Sequence, residues 1–488
     1  MRPSRDGVGG WDFRTRRGTL CMEAIAVTLT MDTQAWAEEQ FGKCELNDKR
    51  RTRRLTRLAP EVLQHPAGSL PEQTTNMADL KAAYRLFDCT DVTFERIASP
   101  HWEQTRQQSP GRYLLLDDTT EVEFGICREI AGLGPTGNGG GRGFLLHSAL
   151  MVSAEGEEIF GLAGQKIWYR KPAPKKENTT QRLSRKRESE LWGQVIDRIG
   201  RPPEGSQWVH VMDRGADNFE VYCHCLEQGT DWVVRVTQKD RKIIAPQQKE
   251  MRLSDYLRTL ALAGVYELSL RARPKQPART AKVEVRFGPL WMPPPKQKSR
   301  YVKRLAPAPI PMWVVHVLEV NAPQGVEPIE WILLTALSVE SFDDAWLVIG
   351  YYEKRWLIEE WHKALKTGCR VEHRQLKTAR RLEALTGLLS VVSVRLLQLK
   401  SAARTMPDRP AREVVPERWI AMLQAARTNK KLVHAAPMTV GDFYRQLAMF
   451  GGFLGRKSDG EPGWITIWRG WQKLYLLVRG AELVQRTQ

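Results

Sequence analysis

The most informative part of the sequence is a short charged segment, Tyr352-Glu-Lys-Arg355-Trp-Leu-Ile-Glu359-Glu-Trp-His-Lys363-Ala-Leu-Lys366. Wound into a helix at about 100° per residue, it forms one stripe of Tyr352, Arg355, Glu359, Lys363 and Lys366. Its apolar residues fall on the opposite side, where they can face a core: Leu357, Ile358, Trp361, Ala364 and Leu365. Carboxylates bind hard cations, and Arg and Lys bind phosphate oxygens, so the stripe suits a site that holds a metal ion beside a phosphate. The alternative is an amphipathic helix with a solvated, charged face.

The charge of the chain predicts a polyanionic partner. Its 488 residues contain 74 Lys and Arg against 56 Asp and Glu, for a net charge of +18. Nucleic acid is the commonest partner of such a chain, and an anionic membrane surface is the rival. The longest apolar run, Leu382–Leu399, is interrupted by Arg395, so we expect no membrane span. The seven cysteines form no CxxC pair, which favours reduced thiols in a cytoplasm over disulfides or a zinc site.

The beginning of the chain is predicted to be a leader followed by a helical domain. Residues 1–30 read as a disordered leader, and residues 31–97 read as helices that bind DNA. Asp48 can cap a helix whose first turns carry Arg50, Arg51 and Arg54, and these arginines could face a phosphate backbone. The alternative is a basic helix face that only meets solvent.

Two apolar strands are each predicted to stop at an acid. Tyr113–Leu116 runs into Asp117 and Asp118, and Trp208–Met212 runs into Asp213. Each Asp could be an ordinary turn residue, but strand ends also deliver side chains to the rim of a sheet. Together with Glu359, Asp118 and Asp213 can form a three-carboxylate cluster. Oxygen-only ligation with open positions suits Mg²⁺ or Mn²⁺.

The glycine-rich loop at residues 132–143 does not predict a nucleotide site. It lacks the Gly-Lys-Ser/Thr ending of a phosphate-binding loop, and the segment after it reads as a strand. We therefore expect no nucleotide cofactor. The loop is interpreted as a connection that could lie against DNA through Arg142.

The remaining patterns divide the chain into a core, an insertion and a final helical region. Residues 98–238 are predicted to be the first part of a catalytic core and residues 325–405 its second part. Between them, residues 239–324 alternate short β-type runs with basic, proline-rich stretches, as in a β-rich insertion. Residues 406–488 read as a separate helical domain.

These motifs resemble those of the bacterial cut-and-paste DDE transposases of the insertion-sequence-four family, to which the transposase of transposon five belongs. The strongest match is the family signature Tyr-x2-Arg-x3-Glu-x6-Lys, carried here by Tyr352, Arg355, Glu359 and Lys366. Other segments also match the family: Asp118-Thr-Thr, the run from Asp213, the arginines Arg50, Arg51 and Arg54, the segment from Arg142, and Trp331-x-Leu-Leu-Thr. Asp117 and Glu360 leave a one-residue uncertainty at two of the three acids, and helix spacing from Arg355 favours Glu359.

The resemblance implies an α/β fold: a ribonuclease-H-like mixed sheet with helices, interrupted by the insertion, between an N-terminal DNA-binding domain and a C-terminal dimerisation domain. It implies that Asp118, Asp213 and Glu359 are the catalytic residues and hold two Mg²⁺ ions, for which Mn²⁺ can substitute. It also implies that a homodimer at the nucleoid in the bacterial cytoplasm nicks the inverted-repeat ends, forms and reopens a DNA hairpin, and joins the ends to target DNA.

Further DNA contacts follow from the same resemblance. Trp331 is the expected stacking platform for a flipped base, although a partly buried aromatic at the edge of a core is the alternative. The expected phosphate contacts are Tyr352, Arg355, Lys366 and Arg235. The helical stripe, and not the resemblance, adds Lys363. A basic family position two residues after Arg235 is Thr237 here, so the family's contacts in the insertion are not carried over.

Two other functions fit parts of the sequence. A metal-dependent nuclease or junction resolvase would use the same three carboxylates without strand transfer, but it gives Trp331 and the phosphate-binding stripe no role. A catalytically inactive relative would bind DNA and use none of the acids.

Overall fold

The computed structural model describes residues 33–125, 130–137, 140–156, 158–171, 174, 176, 178, 181, 186–270, 277–305, 307–427, 437–456 and 459–487. The predicted leader at residues 1–30 lies outside the described residues. Most of the loop at 132–143 lies within them.

Helices open the described chain, as the sequence predicted. Asp48 caps the second helix by accepting a hydrogen bond from the Arg50 backbone N–H at 2.8 Å. Trp36, Phe41 and Leu55, from the predicted apolar set, are all buried. The last of these helices crosses residue 97, the predicted end of the domain. The helices are α1 Thr33–Phe41, α2 Lys49–Gln64, α3 Leu70–Gln73, α4 Met77–Asp88 and α5 Phe94–Arg106.

A mixed sheet of twelve strands forms the centre of the molecule. Its order is β2-β3-β1-β5-β6-β12-β11-β10-β7-β8, with β4 paired to β3 and β9 paired to β10. The strands are β1 Arg112–Glu123, β2 Gly134–Thr136, β3 Gly141–Ser153, β4 Ile159–Trp168, β5 Gln207–Met212, β6 Asp231–Arg235, β7 Lys242–Ala245, β8 Lys249–Arg252, β9 Leu262–Leu270, β10 Arg279–Met292, β11 Ile310–Glu319 and β12 Glu330–Thr335.

Parallel pairing is found between β1 and β5 and between β5 and β6. The expectation that the first acid-bearing strand stops at Asp118 is wrong, because β1 continues to Glu123. Its pairing with β5 ends at Asp117 opposite Met212, whereas its antiparallel pairing with β3 continues to Glu123 opposite Gly143. Asp118 therefore lies where the parallel pair ends, and Asp213 follows directly after β5.

The region predicted as a β-rich insertion extends this sheet instead of forming a separate one. Strands β7 to β11 lie within residues 239–324, and β11 pairs with β12 of the core. The domain limits drawn from the sequence remain predictions.

Further helices cover the two faces of the sheet. Alternate residues of a strand point to opposite faces. In β6, Val233 belongs to one core cluster, whereas Trp232 and Val234 belong to another. The first cluster includes the N-terminal helices and the second includes the helices that flank β5. The helices after β4 are α6 Glu190–Ile199, α7 Phe219–Gln228, α8 Leu253–Thr259, α9 Arg300–Leu305, α10 Phe342–Lys354, α11 Trp356–Lys363 and α12 Ala379–Thr405.

The long apolar helix α12 is a core helix. By length and composition it could cross a membrane, but 83% of its most apolar window is buried inside the fold. It packs against the N-terminal helices and the sheet. The five described cysteines, Cys44, Cys89, Cys223, Cys225 and Cys369, are free thiols.

The C-terminal helices share a hydrophobic cluster with the end of α12, where Ala402 is buried. The helical C-terminal region agrees with the predicted fold class, and its limits at residues 406–488 remain a prediction. They are α13 Glu417–Arg427, α14 Val440–Phe450 and α15 Trp464–Thr487. Helices α14 and α15 approach so closely that a Cβ built on Gly470 would lie 1.9 Å from the Leu447 carbonyl oxygen. A Cβ on Gly451 would lie 1.8 Å from the Thr466 carbonyl oxygen. These two glycines therefore permit the backbone contact between the helices.

We predict that Gly470→Ala destabilises the protein, because its methyl group would force α14 and α15 apart. The expected cost is about 1–3 kcal/mol, measured by urea unfolding. Gly480→Ala is the matched control on the same helix, since nothing lies within 4 Å of its added Cβ. It should stabilise the helix by up to about 1 kcal/mol. Equal unfolding midpoints for the two variants would contradict the close contact.

Candidate active site and DNA interface

The ends of two parallel strands bring Asp118 and Asp213 to one edge of the sheet. Asp118 follows the last residue of β1 that pairs with β5, and Asp213 follows the last residue of β5. The Asp213 carboxylate accepts a hydrogen bond from the Gly215 N–H at 2.7 Å and so caps the short turn Arg214–Ala216. The geometry of the two strands therefore explains why the two acids are neighbours.

Arg355 links Asp118 to Glu359. One guanidinium nitrogen lies 3.6 Å from Asp118 Oδ2, and the other lies 2.5 Å from Glu359 Oε1. His362 Nδ1 lies 3.9 Å from the same Asp118 oxygen. Helix α11 packs against β1, so one turn of this helix supplies both Glu359 and His362 to the site. Sequence reasoning missed His362; its position three residues after Glu359 was the available signal.

The three acids interact electrostatically. Burial and then the negative charge of Asp213 raise the pKa of Asp118 to about 6, and Glu359 adds to this effect. The hydrogen bond from Thr119 N–H and the positive charge of Arg355 oppose the rise. Burial is the larger cause of the raised pKa, and the repulsion from Asp213 and Glu359 is the part that a bound cation would relieve.

The donor types fit a hard divalent cation, but the ligands are not preassembled. Within the described ranges, no three His, Cys, Asp or Glu side chains come together as a ready-made metal centre. Glu359 is engaged by Arg355 instead. Carboxylate oxygens are the ligands that Mg²⁺ and Mn²⁺ prefer. The assignment of Asp118, Asp213 and Glu359 to catalysis and metal binding remains a prediction.

The acid before Asp118 faces the other side of β1. Asp117 is 1% exposed, and its Oδ2 lies 2.8 Å from Nδ1 of the buried His210 on β5. Its Oδ1 lies 3.9 Å from Nε2 of His147, which is also buried. Burial raises the pKa of Asp117, and the charge and hydrogen bond of His210 oppose this rise. Asp117 thus ties β1 to β5 below the edge that carries Asp118 and Asp213.

The acid after Glu359 is also held inside the protein. Glu360 accepts hydrogen bonds from Lys400 on α12, from Trp464 Nε1 on α15 at 2.6 Å, and from Lys363 at 2.9 Å. Burial opposes its ionisation, but the hydrogen bonds from Lys400 and Lys363 outweigh burial and lower the pKa of Glu360 to about 2. Glu360 therefore has a structural role, and Glu359 is the acid that faces Asp118.

An aromatic pair extends the site toward β12. The Trp331 and Tyr352 rings lie 5.2 Å apart in an edge-to-face arrangement, and the Arg355 guanidinium lies 6.0 Å from the Tyr352 ring. Trp331 is partly exposed, whereas Tyr352 is buried. The contacts run without a break from Trp331 through Tyr352 and Arg355 to the acids.

The charged stripe expected on one helix is not continuous. The helical bonding changes at Arg355, between α10 and α11, and the chain widens into a π-helical turn over Ala364–Gly368. The extra residue in this turn rotates Lys366 away from the spacing of an α-helix. Lys366 Nζ lies 3.1 Å from Glu372, and Lys363 bonds to Glu360. Neither lysine is directed at Glu359 by an ion pair.

The remaining predicted DNA contacts differ in exposure. All three arginines of α2 have an acidic partner: Arg50 lies 3.0 Å from Asp48, Arg51 lies 2.6 Å from Asp91, and Arg54 lies 2.8 Å from Asp79. Arg50 is nevertheless the most exposed of the three. Arg142 is exposed on β3, and Arg235 donates to the Glu330 carbonyl oxygen at 3.0 Å. Two other arginines of the same basic run, Arg53 and Arg57, are exposed on the outer face of α2.

Three models of known protein families match the chain. The Transposase DNA-binding model matches residues 33–92, the Transposase DDE domain model matches residues 184–394, and the Transposase Tn5 dimerisation domain model matches residues 391–487. Asp213 and Glu359 lie within the second match, whereas Asp118 precedes it. The arginine-bearing helix α2 lies within the first match.

We predict that His210→Leu destabilises the protein by about 1–3 kcal/mol, because Asp117 would remain buried without its hydrogen-bond partner. Urea unfolding measures the effect. His373→Leu is the control, since His373 is exposed and its replacement should change stability by no more than about 0.5 kcal/mol. Indistinguishable unfolding midpoints would show that the Asp117–His210 contact contributes nothing to the fold.

Proposed function

Because the chain belongs to the Tn5-like DDE transposases of the insertion-sequence-four family, with an α/β core of the ribonuclease-H-like type, we propose that it excises an insertion sequence and joins it to new DNA. The protein would act at the inverted repeats that form the ends of this element, and excision would pass through a DNA hairpin. The observation that carries this proposal is the electrostatic coupling of Asp118 with Asp213 and Glu359 around Arg355. The matched DNA-binding and dimerisation domains make the chain a DNA-binding protein that forms homodimers.

Asp118, Asp213 and Glu359 would hold Mg²⁺, with Mn²⁺ as a substitute. Bound Mg²⁺ at such a site activates a hydroxyl for attack on phosphorus and stabilises the leaving oxygen. Asp213 already has its backbone turn fixed by the bond from Gly215, and Asp118 lies on a strand within the sheet. Rigid strands and capped turns hold ligands in place, which supports this assignment.

Arg355 would change partners during the reaction. Its guanidinium is paired with Asp118 and Glu359, and an Arg side chain binds phosphate oxygens in the same forked geometry. With Asp118 and Glu359 holding a metal ion, the Arg355 guanidinium would lose both ion pairs and be free to donate to the scissile phosphate. Lys363 and Lys366 would contribute at the DNA backbone on the same side of the sheet.

Trp331 would stack on the base that is flipped when the hairpin forms. Pulling a base from the duplex costs a few kcal/mol, and an aromatic face recovers about 1–3 kcal/mol. Its partial exposure and its edge-to-face contact with Tyr352 support this role. We also propose that each subunit cleaves the DNA end that its partner binds. The protein would act at the nucleoid in the bacterial cytoplasm.

The decisive experiment combines the protein with Mg²⁺, a pre-cut element end and a supercoiled plasmid. The ends are taken from the inverted repeats that flank the coding sequence. Joined product supports transposition, whereas cleavage without joining supports a nuclease or resolvase. Binding without either reaction supports a catalytically inactive relative.

We predict that Asp118→Asn, Asp213→Asn and Glu359→Gln each abolish nicking without weakening end binding. Removing a residue that only supports a metal ligand lowers metal affinity or activity by up to about 100-fold, so removing a ligand itself should lower activity further. Nicking is followed on labelled end DNA, and binding is followed by fluorescence anisotropy. Asp255→Asn, an equal charge change on the exposed side of helix α8, should nick normally. Wild-type nicking by any of the three variants would remove that acid from the site.

We predict that Trp331→Ala slows hairpin formation by roughly 5- to 150-fold, the rate equivalent of about 1–3 kcal/mol of stacking. The first nick should be affected much less, because it precedes base flipping. Trp331→Phe keeps an aromatic face and should restore most of the rate. Equal slowing of both steps, or no rescue by Phe, would show that Trp331 acts only through packing.

A further inference from the structure

A short helix in the insertion is held firmly against the catalytic core. The Tyr301 ring of α9 stacks on the His224 ring of α7 with centroids 4.0 Å apart, and its hydroxyl bonds to Glu227. Asp197 Oδ1 lies 2.8 Å from His224 Nδ1. Val302 of α9 is buried in the core cluster that also contains Tyr222 and Cys223 of α7. The position of α9 is therefore fixed by packing and not only by its flanking loops.

The outer side of α9 is basic and borders a groove. Arg300 and Arg304 are exposed, and they line an open groove of about 620 Å³ together with Lys186. The two acids on the groove wall are both paired with Arg187, which lies 3.5 Å from Glu190 and 3.2 Å from Glu220. No described acid forms an ion pair with Lys186, Arg300, Lys303 or Arg304. The exposed cations are thus available to an outside anion.

The groove adjoins the edge of the sheet that carries the acids. Strand β5 ends at this edge, next to Asp213, and α7 begins shortly after it. Helix α6 leads into the opposite end of β5, so its own first turn also lies at this edge. The groove is lined by Glu190 and Glu220 from these two helix starts. Trp192, also at the start of α6, is 4.5 Å from His147 by ring centroids and would meet a Cβ on Gly215 at 3.1 Å.

The groove lies on the opposite face of the sheet from the predicted end-binding residues. Met212 and Val234 point toward the cluster that contains Val302 of α9. Val211 and Val233, which alternate with them, point toward the cluster that contains Tyr352 and the N-terminal helices. An end bound by α2 and Trp331 would approach the acids from that second face.

We infer that the groove between α9 and the starts of α6 and α7 binds the backbone phosphates of the target DNA duplex. This inference rests on the proposed function, in which a second duplex must reach the acids while the element end occupies the other face. Arg300 and Arg304 supply the positive charge. Their guanidinium groups can bind backbone phosphates of any sequence, as a target duplex requires. The side chains stacked beneath α9 hold these cations in place.

The test compares two double variants of the full-length protein assembled on pre-cut ends. Arg300→Glu with Arg304→Glu reverses the groove charge. Lys249→Glu with Arg252→Glu makes the same charge change on exposed residues of β8, at the far end of the sheet. Capture of a labelled random-sequence duplex and joining to a plasmid are measured across a salt series, with end binding and first nicking measured in parallel.

We expect the groove variant to lower capture and joining by about tenfold. The slope of log affinity against log salt concentration should also become shallower, by the equivalent of roughly one to two phosphate contacts. End binding, first nicking and the unfolding midpoint should match the β8 variant. Unchanged capture would overturn the inference. An equal loss of end binding would also overturn it, since the groove would then hold the element end.

Failure of the proposed function has a different signature. A wild-type complex that captures the random duplex but joins no ends would overturn transposition, while the comparison of captured duplex between the two variants would still show whether the groove binds DNA.

Discussion

Two buried carboxylates fix the orientation of the acids at the candidate site. Asp117 is bonded to His210 across two strands, and Glu360 is bonded to Lys400 and Trp464 across three helices. Neighbouring residues of a strand point to opposite faces, and neighbours on a helix are turned by about 100°. Once Asp117 and Glu360 are held inward, Asp118 and Glu359 must face the site. The contact of Glu360 with α15 also connects the C-terminal helices to the helix that carries Glu359.

Arg355 balances the charge of this site. The pKa of about 6 at Asp118 corresponds to roughly 3 kcal/mol of resistance to ionisation relative to an ordinary aspartate. The guanidinium between Asp118 and Glu359 offsets part of the repulsion, and it couples the acids to Tyr352 and so to Trp331. A divalent cation carries more charge than Arg355 and can approach several carboxylates at once. A bound cation would therefore take the place of Arg355 between Asp118 and Glu359.

The sequence predicted the strands, the N-terminal helices and the separate C-terminal cluster, because their apolar patterns are long and distinct. It favoured Asp118 with a one-residue uncertainty toward Asp117, because Leu114, Leu115 and Leu116 are all buried and a strand covered on both faces shows no alternation. It could not predict the internal ion pairs of Arg51 and Arg54, since Asp91 and Asp79 are distant in sequence. The π-helical turn that displaces Lys366 has no sequence signal of this kind.

Some of the Lys and Arg side chains form ion pairs within the protein, and others are exposed. Arg51, Arg54, Lys363 and Lys366 are paired with acids of the same chain, so they are less available to DNA than their residue types suggest. Among the cations that remain exposed, two groups lie on the outer face of α2 and in the groove at α9. These surfaces flank the acids from opposite faces of one sheet. Under the proposed function, this separation would let the element end and the target duplex bind without competing for one surface.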